Sequence, residues 1–560
     1  QGRRNGTATC NAGGCGLRTG TKVGLRVNFQ IQWKTFGGWA MAFLLSAVIL
    51  SAADLRLVEA AKNRDHAAVR SLLEQKVDVN APQPDGATAL AWAAHWNELE
   101  TADLLIRARA DVNAANDYGV TPLSLACAKG HAAMVEKLLN ARADPNKPQL
   151  TGETPVMTCA RTGSVNAVKA LLAHGGNAKA KETRRGQTAL MWAVAERHSE
   201  VVRLLVEHGA EVNAKSQMPE GVTPAKYLTY GVYRRDPSGP DRFEPGDVHP
   251  DPASSRGGFT ALMFAAREGD LESARLLVAA GARVNDSSRD YGSALVMAVA
   301  SGHEPLSVFL LENGADPNAA DGWGLTPLHY ALRDGFTAIG MSRERIPTDS
   351  YWLRPNMPGV VKALLERGAN ANARVGNGFP PFDYSPFGRT IGNAMPQLRQ
   401  PGATPFLLAA ASLDVSLMRL LLAHGANPLL TTHEGTTPLM VASGMGRLED
   451  LTEEEEQKAL EAARLALELG NNINAANQDG RTALAAATLL GANSIVQLLA
   501  ESGANLEMAD RYGQTALSIA QGVRPKINGG DKRFPSPKAR QDTADLLLRL
   551  GAKPLSLSAP

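Results

Sequence analysis

The sequence predicts an all-α solenoid of about a dozen helix-turn-helix units joined by β-hairpin-like finger loops. Three observations carry this prediction. A Thr recurs at fixed spacing: Thr88, Thr121 and Thr154 lie 33 residues apart, Thr188 follows 34 later, and Thr482 and Thr515 are again 33 apart. Two apolar stripes of helical period follow each Thr, as in DYGVTPLSLACAKGHAAMVEKLLNARADPN from Asp117 to Asn146. A Gly stands two residues before nearly every Thr, from Gly86 and Gly119 to Gly513. The same frame holds at Thr223, Thr260, Thr326, Thr404 and Thr437, with Ser293 replacing the Thr once.

Each position in the unit has a physical job. Thr121 before Pro122 is an N-cap followed by a proline at the first helical position, where the missing N–H costs nothing. Leu123, Leu125 and Ala126 give the first helix one apolar face, and small residues at Ala126 and Cys127 let a neighbouring helix approach closely. Gly130 and His131 end that helix. Met134, Val135, Leu138 and Leu139 define a second, antiparallel helix, and Ala143 to Asn146 leads into the next finger. Gly119 supplies the positive φ that a tight finger turn demands. The terminal slot of the second helix is glycine in many units, as at Gly209 and Gly425, but Lys76, Arg109 and Arg142 occupy it elsewhere.

This pattern resembles the ankyrin repeat over roughly residues 54 to 553, with Thr326-Pro327-Leu328-His329 the fullest match to the family's T-P-L-H signature. The resemblance implies an ankyrin-repeat solenoid with a β-turn and two helices per unit, and an inter-repeat hydrogen bond from His329 that units with Ser124 or Ala91 in that slot lack. It also implies that a protein partner binds the groove formed by the fingers and the first helices. A signal peptide on such an array with large insertions is similar to exported bacterial members of the family.

Length and charge narrow the function. At 560 residues the chain exceeds one ordinary domain, but repeat units pack only on their neighbours, so one long solenoid is the better reading. A net charge of +2, with 58 Lys and Arg against 56 Asp and Glu, argues against a nucleic-acid or acidic-membrane partner. Four cysteines are no disulfide framework. Cys127 and Cys159, in the small-residue stretch of consecutive first helices, are expected to be buried small hydrophobes, and Cys10 and Cys15 lack the second ligand pair of a zinc site.

Residues 1–26 are rich in Gly, Arg, Thr and Asn without apolar period and read as a disordered or spurious leader. Residues 27–53 read as a signal peptide: Lys34 gives the positive flank, Trp39 to Leu50 the apolar run, and Ser51-Ala52-Ala53 the small-residue site, with cleavage before Asp54. The alternative is a hydrophobic helix capping the first unit. Export to a periplasmic or extracellular space follows from the first reading, a cytoplasmic location from the second, and neither leaves a stable membrane anchor.

The array starts with an atypical cap at Asp54 to Asn80, which lacks the Thr-Pro opener. Insertions are expected at about 215–257, 335–357, 374–401, 446–457 and 522–538. In the first, Gly221-Val222-Thr223-Pro224 is read as opening a unit whose second helix a Pro-rich passage replaces. The segments at 335–357, 446–457 and 522–538 separate first from second helices, while 374–401 lies in a finger. Glu453 to Glu456 reads as the acidic first turn of an extended helix, in favourable orientation to its dipole.

No catalytic constellation is found. There is no Walker-type phosphate loop, no H-E-x-x-H and no paired C-x-x-C, and Ser443 lacks the glycine of a nucleophile elbow. No cofactor or metal is expected. His174, His208 and His424 recur before the terminal glycine of the second helix, which argues a structural role at its carbonyl end. The expected function is therefore a non-catalytic, monomeric scaffold for another protein. Candidate anchors are Tyr118, Trp323 and Tyr512 on the fingers, and His95, Trp96, Lys129, Arg161, Arg197, Arg267 and Arg333 at the exposed ends of first helices. The other reading of the arginines is a solvated face, since Glu268 follows Arg267 and Asp334 follows Arg333. A second hypothesis is a small-ligand or carbohydrate receptor or enzyme built from two aromatic insertions, one with Tyr227, Tyr230 and Tyr233, the other with Phe379, Phe382 and Tyr384. The same aromatics also suit a fold-back cover over an incomplete unit.

Overall fold

The computed structural model describes residues 54–217, 257–289, 291–322, 324–338, 355–376, 401–447, 450–523 and 540–554. The readings of residues 1–26 and 27–53 lie outside them. From Asp54 onward the described residues form helix pairs in twelve units, opened by Leu55, Thr88, Thr121, Thr154, Thr188, Thr260, Ser293, Thr326, Thr404, Thr437, Thr482 and Thr515, here units 1 to 12.

The openers work as local chemistry requires. Thr121 has extended backbone and its Oγ1 accepts from the Ser124 N–H at 3.1 Å, while Pro122 starts the helix Pro122–Ala128. Thr88, Thr188, Thr260, Ser293, Thr404, Thr437, Thr482 and Thr515 cap in the same way. The first helix ends in a left-handed residue, Gly130 at φ 70° in unit 3, and the second runs from Ala132 to Asn140. Lys76, Arg109 and Arg142 take positive φ at the end of the second helix without being glycine, so the stack imposes that conformation. First helices pack on first helices and second on second: Pro122–Ala128 contacts both Ala89–Trp96 and Pro155–Arg161. Leu123, Met134 and Leu138 are fully enclosed between units.

Fingers are bound to one another by a ladder of asparagines at the end of the second-helix loop. Asn113 Oδ1 accepts from the Asp144 N–H at 2.7 Å, and its Nδ2 donates to the Arg142 carbonyl at 3.3 Å. Asn146, Asn285, Asn318, Asn372 and Asn474 repeat this double bridge. Strand pairing among the described residues is short, with Ser287–Ser288 antiparallel to Gly292–Ser293 and an isolated bridge from Lys181 to Thr188.

The ladder also locates the insertions. At Asn213 the bridge reaches Gly281 and Arg283, 68 and 70 residues away, against 29 and 31 at Asn113. The helix Ala261–Glu268 therefore packs directly on Ala189–Ala195. The stack thus passes from unit 5 to unit 6 across a finger closed at its base where the Ser216 N–H donates to the Phe259 carbonyl at 2.9 Å; Gly221-Val222-Thr223-Pro224, read as opening a unit, lies outside the described residues. Val375 closes the 374–401 finger in the same manner onto Ala403, also at 2.9 Å. Unit 8 carries an additional helix, Arg333–Ala338, between its first and second helices, and Gly335 lies against the Leu408 backbone of unit 9. The acidic run does begin an extended helix, Glu453–Glu468, capped reciprocally by Thr452 and Glu455.

A correction concerns the cysteines. Cys127 and Cys159 are buried, but they are joined by a disulfide across a Cα–Cα distance of 4.5 Å, stapling the first helices of units 3 and 4. The reason is the small-residue packing itself: helices that approach this closely bring two facing cysteines within bonding reach.

Candidate protein-binding surface

Each finger feeds straight into a first helix, so one unit presents a finger tip, a helix face and a helix end in succession. In unit 2 that face is aromatic. The Trp92 Nε1–H donates to Gln83 Oε1 of its own finger at 3.3 Å, which fixes the indole between finger and helix. Trp92 stacks on Trp96 at 6.4 Å, and His95 meets Trp96 edge-on at 4.5 Å. The Trp96 Nε1–H donates to the Lys62 carbonyl of unit 1 at 3.1 Å, leaving the ring 41 % exposed, while the Lys62 ammonium lies 5.6 Å from the Trp92 ring. Burial, and then the charges of Lys129 and His131, push the His95 pKa below its ordinary value.

Cation and ring recur in register further along. Arg161 lies 5.2 Å over Trp192, whose Nε1–H is held by Gln187 of its finger at 2.9 Å, and Arg267 lies 5.1 Å over Phe264. Behind these ends, His131, His198 and His303 donate from Nε2 to the carbonyls of His95, Arg161 and Arg267 in the preceding unit, at 3.0–3.3 Å. The helix ends are thus positioned by the neighbouring unit.

On the finger side Tyr118 is 68 % and Leu150 74 % exposed. The Leu150 N–H donates to the Tyr118 carbonyl at 3.1 Å, so two apolar side chains sit on adjoining tips. Tyr512 stands on the finger between units 11 and 12, bonded to Arg511 through its hydroxyl. Lys129 caps the end of its helix in an exposed position.

Two expected anchors are displaced. Arg197 is exposed but lies beyond the helix Ala189–Ala195, in the left-handed turn position at φ 61°. Arg333 is only 4 % exposed: it begins the additional helix of unit 8, donates to the Ala300 carbonyl at 2.5 Å and lies over Tyr330, so it cannot anchor a partner. Trp323, Tyr227, Tyr230, Tyr233, Phe379, Phe382 and Tyr384 lie outside the described residues. The bases of the two aromatic insertions leave the stack three units apart, between units 5 and 6 and between units 8 and 9. Trp92, Trp192 and Leu150 were not among the expected anchors. The two tryptophans share the fourth position after the opening Thr, a register the 33-residue frame already contains.

His329 is fully buried with its ring neutral: Nδ1 accepts from the Thr326 N–H at 3.1 Å and Nε2 donates to the Ala373 carbonyl at 3.2 Å. Burial pulls its pKa down to about 4. The inter-repeat bond implied at this position is therefore present. His174, His208 and His424 donate from Nδ1 to carbonyls four residues earlier, at 2.8–2.9 Å, as a role at the helix end requires. Among the described residues no group of three His, Cys, Asp or Glu side chains could hold a metal ion, and no helix is long and apolar enough to cross a membrane.

The family model "Ankyrin repeats (3 copies)" matches residues 57–149, 134–216, 246–321, 262–341 and 455–526, more than half of the chain. The chain is 30 % identical over 158 residues to the ankyrin repeat and KH domain-containing protein mask-1 of Caenorhabditis elegans, a match covering 28 % of this chain and 6 % of that protein. It is 39 % identical over 126 residues to cyclin-dependent kinase 4 inhibitor B of Bos taurus, covering 22 % of this chain and 92 % of the relative. The corresponding figures for the Rattus norvegicus inhibitor are 38 % over 81 residues, 14 % and 62 %. Period, paired helices, finger ladder and these matches agree: the chain belongs to the ankyrin repeat family.

Proposed function

We propose that this array is a non-catalytic scaffold that binds another protein along its fingers and first-helix ends. The observation that carries the proposal is the solvent-facing cluster of Trp92, His95 and Trp96, held by Gln83 and by the Lys62 carbonyl of the preceding unit. Aromatic side chains already fixed by hydrogen bonds lose little freedom when a partner covers them, which is how rigid anchors contribute to affinity. Two of the relatives are named as inhibitors of a cyclin-dependent kinase, a role exercised on another protein, and this supports the same class of activity here. The test is site-specific photocrosslinking in the full chain. A benzophenone side chain at the Tyr118 position should capture a protein adduct from the source cells, and one at Glu461, exposed on the second helix of unit 10, should not. Equal capture from both positions, or from neither, contradicts the reading.

We propose further that the protein is exported. The disulfide between Cys127 and Cys159 supports this, because such bonds persist in oxidising compartments and are rare in the cytosol, as does the apolar run from Trp39 to Leu50 behind Lys34. Protein isolated from its own cells under denaturing alkylation should carry no label at either cysteine until it is reduced. Full labelling of both without reductant would place the chain in a reducing compartment.

A further inference from the structure

The seventh residue after each opener lies at or just past the end of the first helix. In units 1 to 8 this position is basic five times, at Lys62, His95, Arg161, Arg267 and Arg333, and alanine in the remaining three. It is uncharged in units 9 to 12, and acidic nowhere. Where alanine occupies it in units 3 and 5, the exposed cations Lys129 and Arg197 follow one and two residues later. The fourth residue after the opener supplies the rings over which these cations lie: Lys62 and Trp92, Arg161 and Trp192, Arg267 and Phe264. Units 1, 3, 4, 5 and 6 thus present a cation at or just past the end of the first helix, with the half-buried rings of Trp92 and Trp192 in units 2 and 5 among them, while unit 8 closes the row by burying Arg333.

The acids beside this row leave its cations available. Lys62 is 3.9 Å from Glu59, Arg161 is 3.4 Å from Glu153, and Arg267 is 2.6 Å from Glu268, all with the cation's side chain substantially exposed. Ion pairs whose cation faces water hold weakly, although of the three acids Glu59 alone is as exposed as its cation and Glu153 is largely covered. Among the described residues no ion pair is formed by Lys129 or Arg197.

We propose that this row receives an extended acidic segment of the partner protein, with carboxylates on Arg161 and Arg267 and an apolar side chain on Trp192 between them. The proposal rests on the protein-binding reading above and adds the chemistry of the partner. Packed helices lie about 8–10 Å apart, so cations two units apart are separated by roughly 16–20 Å. An extended chain rises about 3.3 Å per residue, which sets a carboxylate every five or six residues or so. A nucleic acid, with a charge about every 3.4 Å of strand, is far too densely charged for so sparse a row.

The test uses the full chain and three fluorescein-labelled peptides of about 14 residues, a length set by the same extended rise. One carries Glu at every sixth position with Leu and Phe between, and in the others Gln or Lys replaces Glu. Fluorescence anisotropy should show the Glu peptide binding at least about tenfold more tightly than the Gln peptide, with the advantage shrinking as salt rises from about 50 to about 300 mM. Arg161→Gln/Arg267→Gln should remove that advantage, and Arg161→Lys/Arg267→Lys should keep most of it, with circular dichroism and Tm as controls for folding. If the Gln pair unfolds the chain, Lys129→Gln with Arg197→Gln, both at exposed turns, reads the same row. Equal binding of the three peptides, or an undiminished Glu advantage in the folded Gln variants, overturns the proposal. A photoadduct at Tyr118 in a protein that ignores the Glu peptide removes the acidic-partner inference alone. Absence of both removes the binding reading too.

Discussion

At the scale of single residues, His329 shows how a helix opener becomes a pH-sensitive contact. Its folded pKa of about 4 lies below the ordinary 6.5, so between those values the unfolded chain binds the extra proton. Stability from this residue is therefore fully present above about 6.5 and is lost as pH falls toward about 4, a change on the order of 3 kcal/mol for a shift of this size. Thermal melts of the native chain and of His329→Gln should diverge near neutrality and converge near pH 4, since the variant lacks the titrating ring; curves that stay parallel across that range would refute the assignment. The legibility of single residues in the sequence followed locality. Thr121 and Pro122 were readable because a cap involves only the next three residues. The ladder asparagines were not, because Asn113 and Asn146 gain their role from carbonyls a whole unit away. Trp92 and Trp192 could have been found by reading every column of the repeat frame in place of the helix ends alone.

Between elements, what decides structure is which helices touch. Asn213 bonds to Gly281 and Arg283 across the 215–257 insertion, and the next described helix in the stack is Ala261–Glu268. A cap motif states that a helix is locally favourable; only burial of its apolar face against neighbours recruits it into the array. Arg333 was misplaced for this reason: its side chain is covered because the additional helix Arg333–Ala338 begins with it. Cys127 and Cys159 needed a distance that spacing along the chain does not contain, 4.5 Å between two helices 32 residues apart. The bond closes a loop of that length across one inter-unit interface, which by chain entropy stabilises it by about 2–4 kcal/mol. It lies between the unit carrying Lys129 and the unit carrying Arg161, so the spacing of the proposed contacts is held covalently at that step. The Glu453–Glu468 helix was legible in advance, since its acidic first turn and its Thr452 to Glu455 box are both local.

For the array as a whole, stability is a sum of units and interfaces, and its cooperativity depends on unbroken stacking. Excising one 33-residue period at unit 7 should leave two blocks that unfold in separate transitions in urea, with the block holding the disulfide melting later than the same block after reduction. A single sharp transition in that deletion would show coupling through something other than nearest-neighbour contacts. The period, the paired helices and the class of function were readable from sequence because they repeat, and repetition averages away the exceptions. The insertions were readable as interruptions only. Their closed bases have a wider consequence. Where Ser216 meets Phe259 and Val375 meets Ala403, the main chain leaves and re-enters the stack through the same pair of hydrogen bonds, and the asparagine ladder runs on as though nothing lay between. The register of the stack is then fixed on either side of those two doorways by bonds within the scaffold itself. New sequence can be tried, lengthened or exchanged there over generations, and a foreign domain grafted there by an engineer, without asking the twelve units to be refolded around it.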